Sequence, residues 1–231
     1  MTAPARPDVI AANVASVRAR IARACERAGR DPSSVTLITV TKTFGPEAVL
    51  SAVEAGVTDI GENRVQEALP KLEAVRAALG PQSSVLVTHL IGHLQTNKVR
   101  AALGAFDILH AVDSERLLRA IDATATRPAR LMIEVNVSGE ATKYGIAPAG
   151  LPALLAAAGS LSNVRIEGLM TVAQRVADPE AARPVFRQLA ALASDHSLQS
   201  LSMGMTEDFE VAIEEGATHI RVGRAIFGER A

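Results

Sequence analysis

Apolar residues Ile10, Val14, Val17 and Ile21 share one face of a helix, so residues 8–29 are expected to form an amphipathic helix ended by Gly29. The period then changes. Residues 35–43 are dense in Val, Ile and Thr, read as a strand, and stop at Gly45-Pro46. Alternation puts Ile38, Val40 and Lys42 on one side of it. Further strands are expected at 57–60, 84–88, 106–109, 130–137, 164–169, 199–201 and 219–222. The third closes on His89 and the fourth on His110. Helical stretches fall between them. Pro46 opens one that Gly56 ends, and Val65, Leu69, Leu72 and Val75 mark another, in which Pro70 predicts a kink or a restart. A helix is expected over 94–103, and the next, carrying Leu117, Leu118 and Ile121, is capped by Asp113 or Ser114. Another covers 151–158, one with Val185, Leu189 and Leu192 begins at Asp178-Pro179, and one begins at Thr206 and ends at Gly216.

Eight strands, each followed by a helical segment, require a parallel sheet, and eight units in 231 residues match a single (β/α)8 TIM barrel. Residues 1–231 therefore read as one domain, with 1–34 as an N-terminal tail and an extra helix. A doubly wound open sheet is the alternative, but it needs long apolar central strands, and several here span three or four residues.

The charges nearly cancel, at −1 net, which argues against a nucleic-acid footprint or a membrane-surface protein. A single cysteine, Cys25, excludes a disulfide framework and a zinc cluster. No apolar run is long enough for a transmembrane helix, and residues 1–7 lack a signal core, so a soluble cytoplasmic protein is expected.

A barrel of this kind gathers its chemistry at the C-terminal strand ends. Those ends supply Lys42, Asn63, His89, His110, Asn136, Thr171, Ser202 with Gly204, and Arg221 with Gly223. An amine beside apolar neighbours suits a Schiff base to an aldehyde, although a strand-end lysine can also reach solvent. The turns at 201–206 and 221–224 bear glycines and precede helices, as an anion cradle requires. Lysine and cradle together suit pyridoxal 5′-phosphate (PLP). Arg221 could face its ring nitrogen and keep it unprotonated, because guanidinium does not release its proton. No carboxylate or thiol lies at ligand spacing around the histidines, so no metal is expected. His89 reads as a hydrogen-bonding residue of the mouth, and His93 and His110 as packing or exposed. Lys71 reads as an exposed lysine whose replacement would leave cofactor binding unchanged.

Several segments resemble the pyridoxal phosphate homeostasis protein family, also called YggS/PROSC-like or YBL036C-like. They are Val40-Thr41-Lys42-Thr43, Gly61-Glu62-Asn63-Arg64-Val65-Gln66-Glu67, His89-Leu90-Ile91-Gly92-His93-Leu94-Gln95-Thr96-Asn97-Lys98, Gly168-Leu169-Met170-Thr171, Leu201-Ser202-Met203-Gly204-Met205 and 220–228. The resemblance implies a barrel similar to the N-terminal domain of alanine racemase, holding PLP as a Schiff base on Lys42. It further implies Asn63 and His89 beside the ring, and Met170 and Thr171 at the mouth. Ser202, Gly204 and Gly223 would hold the phosphate, and Arg221 would face the ring nitrogen. Arg224 stands where Ser or Thr is common, leaving its backbone as the phosphate contact. Thr88 replaces a frequent tryptophan, and the ending 228–231 lacks a common Asp-Tyr.

The resemblance implies a carrier and regulator of PLP in vitamin B6 and amino-acid metabolism, without established turnover and with no catalytic residue to assign. PLP-dependent apoenzymes are the expected partners, and a monomer or weak homodimer the expected state. Two alternatives are enzymes. A racemase of the alanine racemase type needs a base on each face of the cofactor, and Tyr144 is the only tyrosine. A Schiff-base aldolase would also use a lysine on a barrel strand.

Overall fold

A computed structural model describes residues 6–140, 142–174 and 177–228. Residues 1–5 of the expected N-terminal tail and 229–231 of the expected ending lie outside the described residues, as do residues 141, 175 and 176. Eight parallel strands pair in chain order: β1 (Thr36–Val40), β2 (Asp59–Glu62), β3 (Val87–Leu90), β4 (Ile108–Val112), β5 (Ala129–Glu134), β6 (Val164–Met170), β7 (Ser200–Ser202) and β8 (His219–Val222). Pairing of Thr36–Thr39 with His219–Val222 joins the first strand to the last. The sheet is a closed (β/α)8 barrel, and closure removes the open-sheet alternative.

The helices are α1 (Pro7–Arg27), α2 (Pro46–Glu54), α3 (Val65–Leu79), α4 (Val99–Ala105), α5 (Glu115–Thr124), α6 (Leu151–Gly159), α7 (Arg183–Asp195), α8 (Phe209–Glu214) and α9 (Arg224–Phe227). The helix after β8 is one turn long, which would leave the outer ring thin between α8 and α2. α1 fills that place. It packs against α2, α8 and α9, burying Ile10, Val14, Val17, Ile21 and Ala24. Asn13 Nδ2 donates to the Ile226 carbonyl at 2.9 Å and Arg20 Nε to Glu210 at 2.7 Å, fixing its register.

Several boundaries differ from the sequence reading, each for a local reason. Residues 80–85 form a 3-10 helix and Phe106 caps α4, so β3 and β4 start later than their apolar runs and enclose His89 and His110. β2 extends to Glu62, because Gly61 leaves room inside the cylinder: a Cβ there would lie 2.7 Å from Ile38 Cγ2. α3 runs through Pro70 without a restart, and Pro70 is exposed, so water can reach the carbonyl that its missing N–H leaves unpaired. The helix expected at Thr206 begins at Phe209. Asp208 is its cap, and its carboxylate accepts the Met205 N–H at 2.6 Å.

Most of the apolar core lies between strands and helices. Inside the cylinder, Ala111, Met132 and Met170 form a small separate cluster. Barrel interiors are ordinarily filled by branched aliphatics. Here His89, His110, Ser202 and Arg221 are buried and hydrogen-bonded to one another across the axis. Gly168 of β6 sits where its neighbour is closest, since a Cβ would meet the Ser200 carbonyl oxygen at 1.9 Å. Gly168→Ala must part β6 from β7 and should cost about 3 kcal/mol or more. A urea midpoint unchanged from wild type would refute that contact. Among the described residues, no helix is long and apolar enough to cross a membrane.

Candidate functional site

The strand β1 ends in a turn that presents Lys42. The Phe44 N–H donates to the Thr41 carbonyl at 3.1 Å, leaving Lys42 and Thr43 as the two central residues. Thr43 has φ 72°, a left-handed conformation uncommon for a β-branched residue and typical of functional sites. The turn is held from behind. Lys71 Nζ donates to the same Thr41 carbonyl and to Glu62 Oε1, both at 2.8 Å, and Thr41 Oγ1 donates to Glu62 Oε1 at 2.5 Å. Lys71 is therefore not the exposed lysine that the sequence suggested. Its side chain is 9% exposed and that of Glu62 is 1%.

Lys42 lines a cavity of about 620 Å³ together with Val40, Phe44, Asn63, Arg221, Gly223 and Arg224. Asn63 follows β2 and is pressed against Gly92, where a Cβ would lie 2.3 Å from the Asn63 carbonyl oxygen. The Asn63 side-chain oxygen is buried and takes no hydrogen bond from the described residues. After β8, the N–H groups of Gly223, Arg224 and Ala225 donate to no described backbone carbonyl. Arg224 itself reaches Glu207 at 2.9 Å.

Arg221 is the hub of the site. Its Nη1 donates to Ser202 Oγ at 2.6 Å, its Nη2 to the Thr171 carbonyl at 2.7 Å and its backbone N–H to the Gly204 carbonyl at 3.0 Å. Burial pushes its pKa down to about 10, while Glu134 and Asp208 oppose that shift. Gly204 has φ +87°, and a Cβ would meet Ala212 Cβ at 2.6 Å, so this turn requires glycine. Burial raises Glu134 to about 7 against the pull of Arg221. Glu134 lines a smaller cavity of about 180 Å³ with Asn136, Lys143, Tyr144 and Thr171. Tyr144 stacks on His93 with ring centroids 4.2 Å apart and is exposed, outside the lining of the larger cavity.

The structure thus brings Lys42, Asn63, Arg221, Gly223 and Arg224 to one cavity. His89, Met170, Ser202 and Gly204 are buried beneath or beside it, outside its lining. His89 is one layer down the barrel, with Nε2 on Asp59 and Nδ1 on His110, both at 2.9 Å. His110, read as packing or exposed, is fully buried and bonded at both ring nitrogens, because β4 encloses it. Burial holds its pKa well below the ordinary histidine range, and lowers that of His219 to about 4. Asp59, His110 and His219 had a legible signal: each is the polar partner in a strand alternation, as in His219-Ile220-Arg221-Val222. Thr88 faces outward, donating to Asp107 at 2.7 Å.

The sequence profile of the alanine racemase N-terminal domain matches residues 12–231. The pyridoxal phosphate homeostasis protein of Pseudomonas aeruginosa is 45% identical over 230 residues, covering 96% of each chain. That of Aquifex aeolicus is 42% identical over 220 residues, covering 91% of this chain and 94% of the relative. This chain belongs to the pyridoxal phosphate homeostasis protein family. Among solved structures, PipY of Synechococcus elongatus PCC7942, with PLP bound, superposes with a TM-score of 0.80. The two are 36% identical, over 95% of this chain and all of PipY.

Proposed function

We propose that this member of the family binds pyridoxal 5′-phosphate on Lys42 and acts as a carrier and regulator of the cofactor in the cytoplasm. Its partners are PLP-dependent apoenzymes, and it works as a monomer or weak homodimer. The observation that carries the reading is one cavity that joins a lysine amine, an arginine, a buried amide oxygen and backbone N–H groups, the last two without partners among the described residues. These groups fit an aromatic aldehyde bearing a phosphate. When bound, PLP supplies an aldehyde that condenses with a primary amine and a ring that withdraws electrons through its nitrogen.

Lys42 is the amine, because it alone of the chain's lysines lines this cavity. Lys143 lies on the smaller one, bound to Glu140, Ser138 and the Val172 carbonyl, and Lys98 lines neither. Gly223 and Arg224 offer backbone N–H groups to the phosphate, and Asn63 lies beside the ring. Thr171, Ser202 and Gly204 act through Arg221, which donates a hydrogen bond to each of them. Arg221 as hydrogen-bond donor leaves the ring nitrogen unprotonated, which weakens electron withdrawal and favours holding over turnover.

Borohydride reduction of PLP-loaded protein, followed by peptide mass spectrometry, tests this. A pyridoxyl adduct on the peptide carrying residue 42 is expected. An adduct confined to Lys71, Lys98 or Lys143, or none at all, would overturn the assignment.

A further inference from the structure

A continuous chain of side chains runs through the barrel from Arg221 to Asp59, and its ends fix the direction of every bond in it. Arg221 can only donate, and it donates to Ser202 Oγ at 2.6 Å. An ionised carboxylate can only accept, and Asp59 Oδ1 lies 2.9 Å from His89 Nε2. Burial pushes the Asp59 carboxyl up, but hydrogen bonds from His89 and Thr58 together with the neighbouring His89 and His219 bring it net below its ordinary value, so it is a carboxylate at neutral pH. Between these ends lie His89 Nδ1 to His110 Nε2 at 2.9 Å and His110 Nδ1 to Ser202 Oγ at 2.9 Å.

Two proton arrangements span those four contacts. In the first, both histidines are neutral with the proton on Nε2. His89 then donates to Asp59, His110 donates to His89, and the Ser202 hydroxyl donates to His110 Nδ1. Every donor has an acceptor. In the second, His89 is protonated on both nitrogens and the order reverses. His110 would then donate to Ser202 Oγ, which already accepts from Arg221, and the serine proton would be left without an acceptor. Ser202 is 0% exposed, so water could not take it. The structure selects the first arrangement.

We infer that His89 and His110 are positioning residues, locked as neutral Nε2–H tautomers in a one-way chain that anchors the Arg221 guanidinium against the carboxylate of Asp59. The chain turns Ser202 into a fixed acceptor, and with the Thr171 carbonyl it leaves Arg221 one orientation. The consequence for the cofactor rests on the PLP reading above; the tautomers do not.

Nitrogen-15 NMR of histidine-labelled protein without PLP tests the tautomers in the unmutated chain, with signals assigned by single histidine variants. Both rings are expected as Nε2–H neutral forms, and an Nδ1–H or doubly protonated ring at either position overturns the chain. In the PLP-loaded protein, His110→Phe removes both contacts without changing the ring's bulk much. It should shift the absorption maximum of bound PLP and release it about tenfold faster. His110→Gln, which keeps one donor and one acceptor, should restore both toward wild type. A His110→Phe spectrum and release rate equal to wild type would refute the positioning role. Should His110→Phe not fold, the tautomer measurement decides. A wild-type protein that binds no PLP would sink the cofactor reading while leaving the tautomer result standing.

Discussion

Lys42→Ala should lose the yellow colour of the PLP-loaded protein entirely, and dialysis should leave no borohydride-stable adduct. The other lysines cannot substitute from where they stand. Lys71 is bound to Glu62 and the Thr41 carbonyl behind the turn, and Lys143 is bound to Glu140. The turn also fixes the direction of approach, since Lys42 is held between the Thr41 carbonyl and the Phe44 N–H and lines the cavity. Lys42→Arg should be as colourless as the alanine variant. A guanidinium is protonated at neutral pH and offers no lone pair to an aldehyde. Retained colour in either variant after dialysis would mean that the covalent anchor lies elsewhere. Residual reversible binding through Arg221 and the Gly223 turn is expected, visible as protection against heat at high PLP and lost on dilution.

The sequence revealed the barrel because its signals were periodic: eight short strands, each followed by a helix, leave few topologies. Lys42, Asn63, Arg221 and Gly223 were legible for a related reason, since strand ends on one face of such a barrel converge. The interior was harder to read. His89 and His110 looked like strand-end residues because the apolar runs before them continue into a 3-10 helix and a helix cap. Once those runs are shortened, both histidines fall on inward positions, where burial demands partners. The place of Ser202 beside a glycine turn points to a phosphate. A hydroxyl at an inward position also meets its neighbours across the axis, and here those are Arg221 and His110. Lys71 differs from expectation because lysines on helices are usually solvated. Only the tertiary fold brings α3 against the end of β1, and no spacing in the chain records the Glu62 carboxylate waiting there.

Lys71→Met should destabilise the protein by about 3–5 kcal/mol, the usual effect of stripping one partner from a buried ion pair. Glu62 Oε1 takes its hydrogen bonds from Lys71 and Thr41, and Oε2 is buried without one from the described residues. Removing the ammonium would leave the carboxylate with a single hydroxyl partner in a place water does not reach. The cost comes from the abandoned charge, so the double variant Lys71→Met with Glu62→Leu should recover most of the loss. Urea unfolding of wild type, Lys71→Met, Glu62→Leu and the double variant measures this directly. A Lys71→Met midpoint close to wild type would show that the pair contributes little. The functional readout separates from the stability one. Lys71 also holds the Thr41 carbonyl at the base of the Lys42 turn, and the double variant does not restore that bond. The double variant should therefore regain its stability yet still form the Lys42 adduct more slowly than wild type. Equal adduct rates would confine Lys71 to supporting the fold.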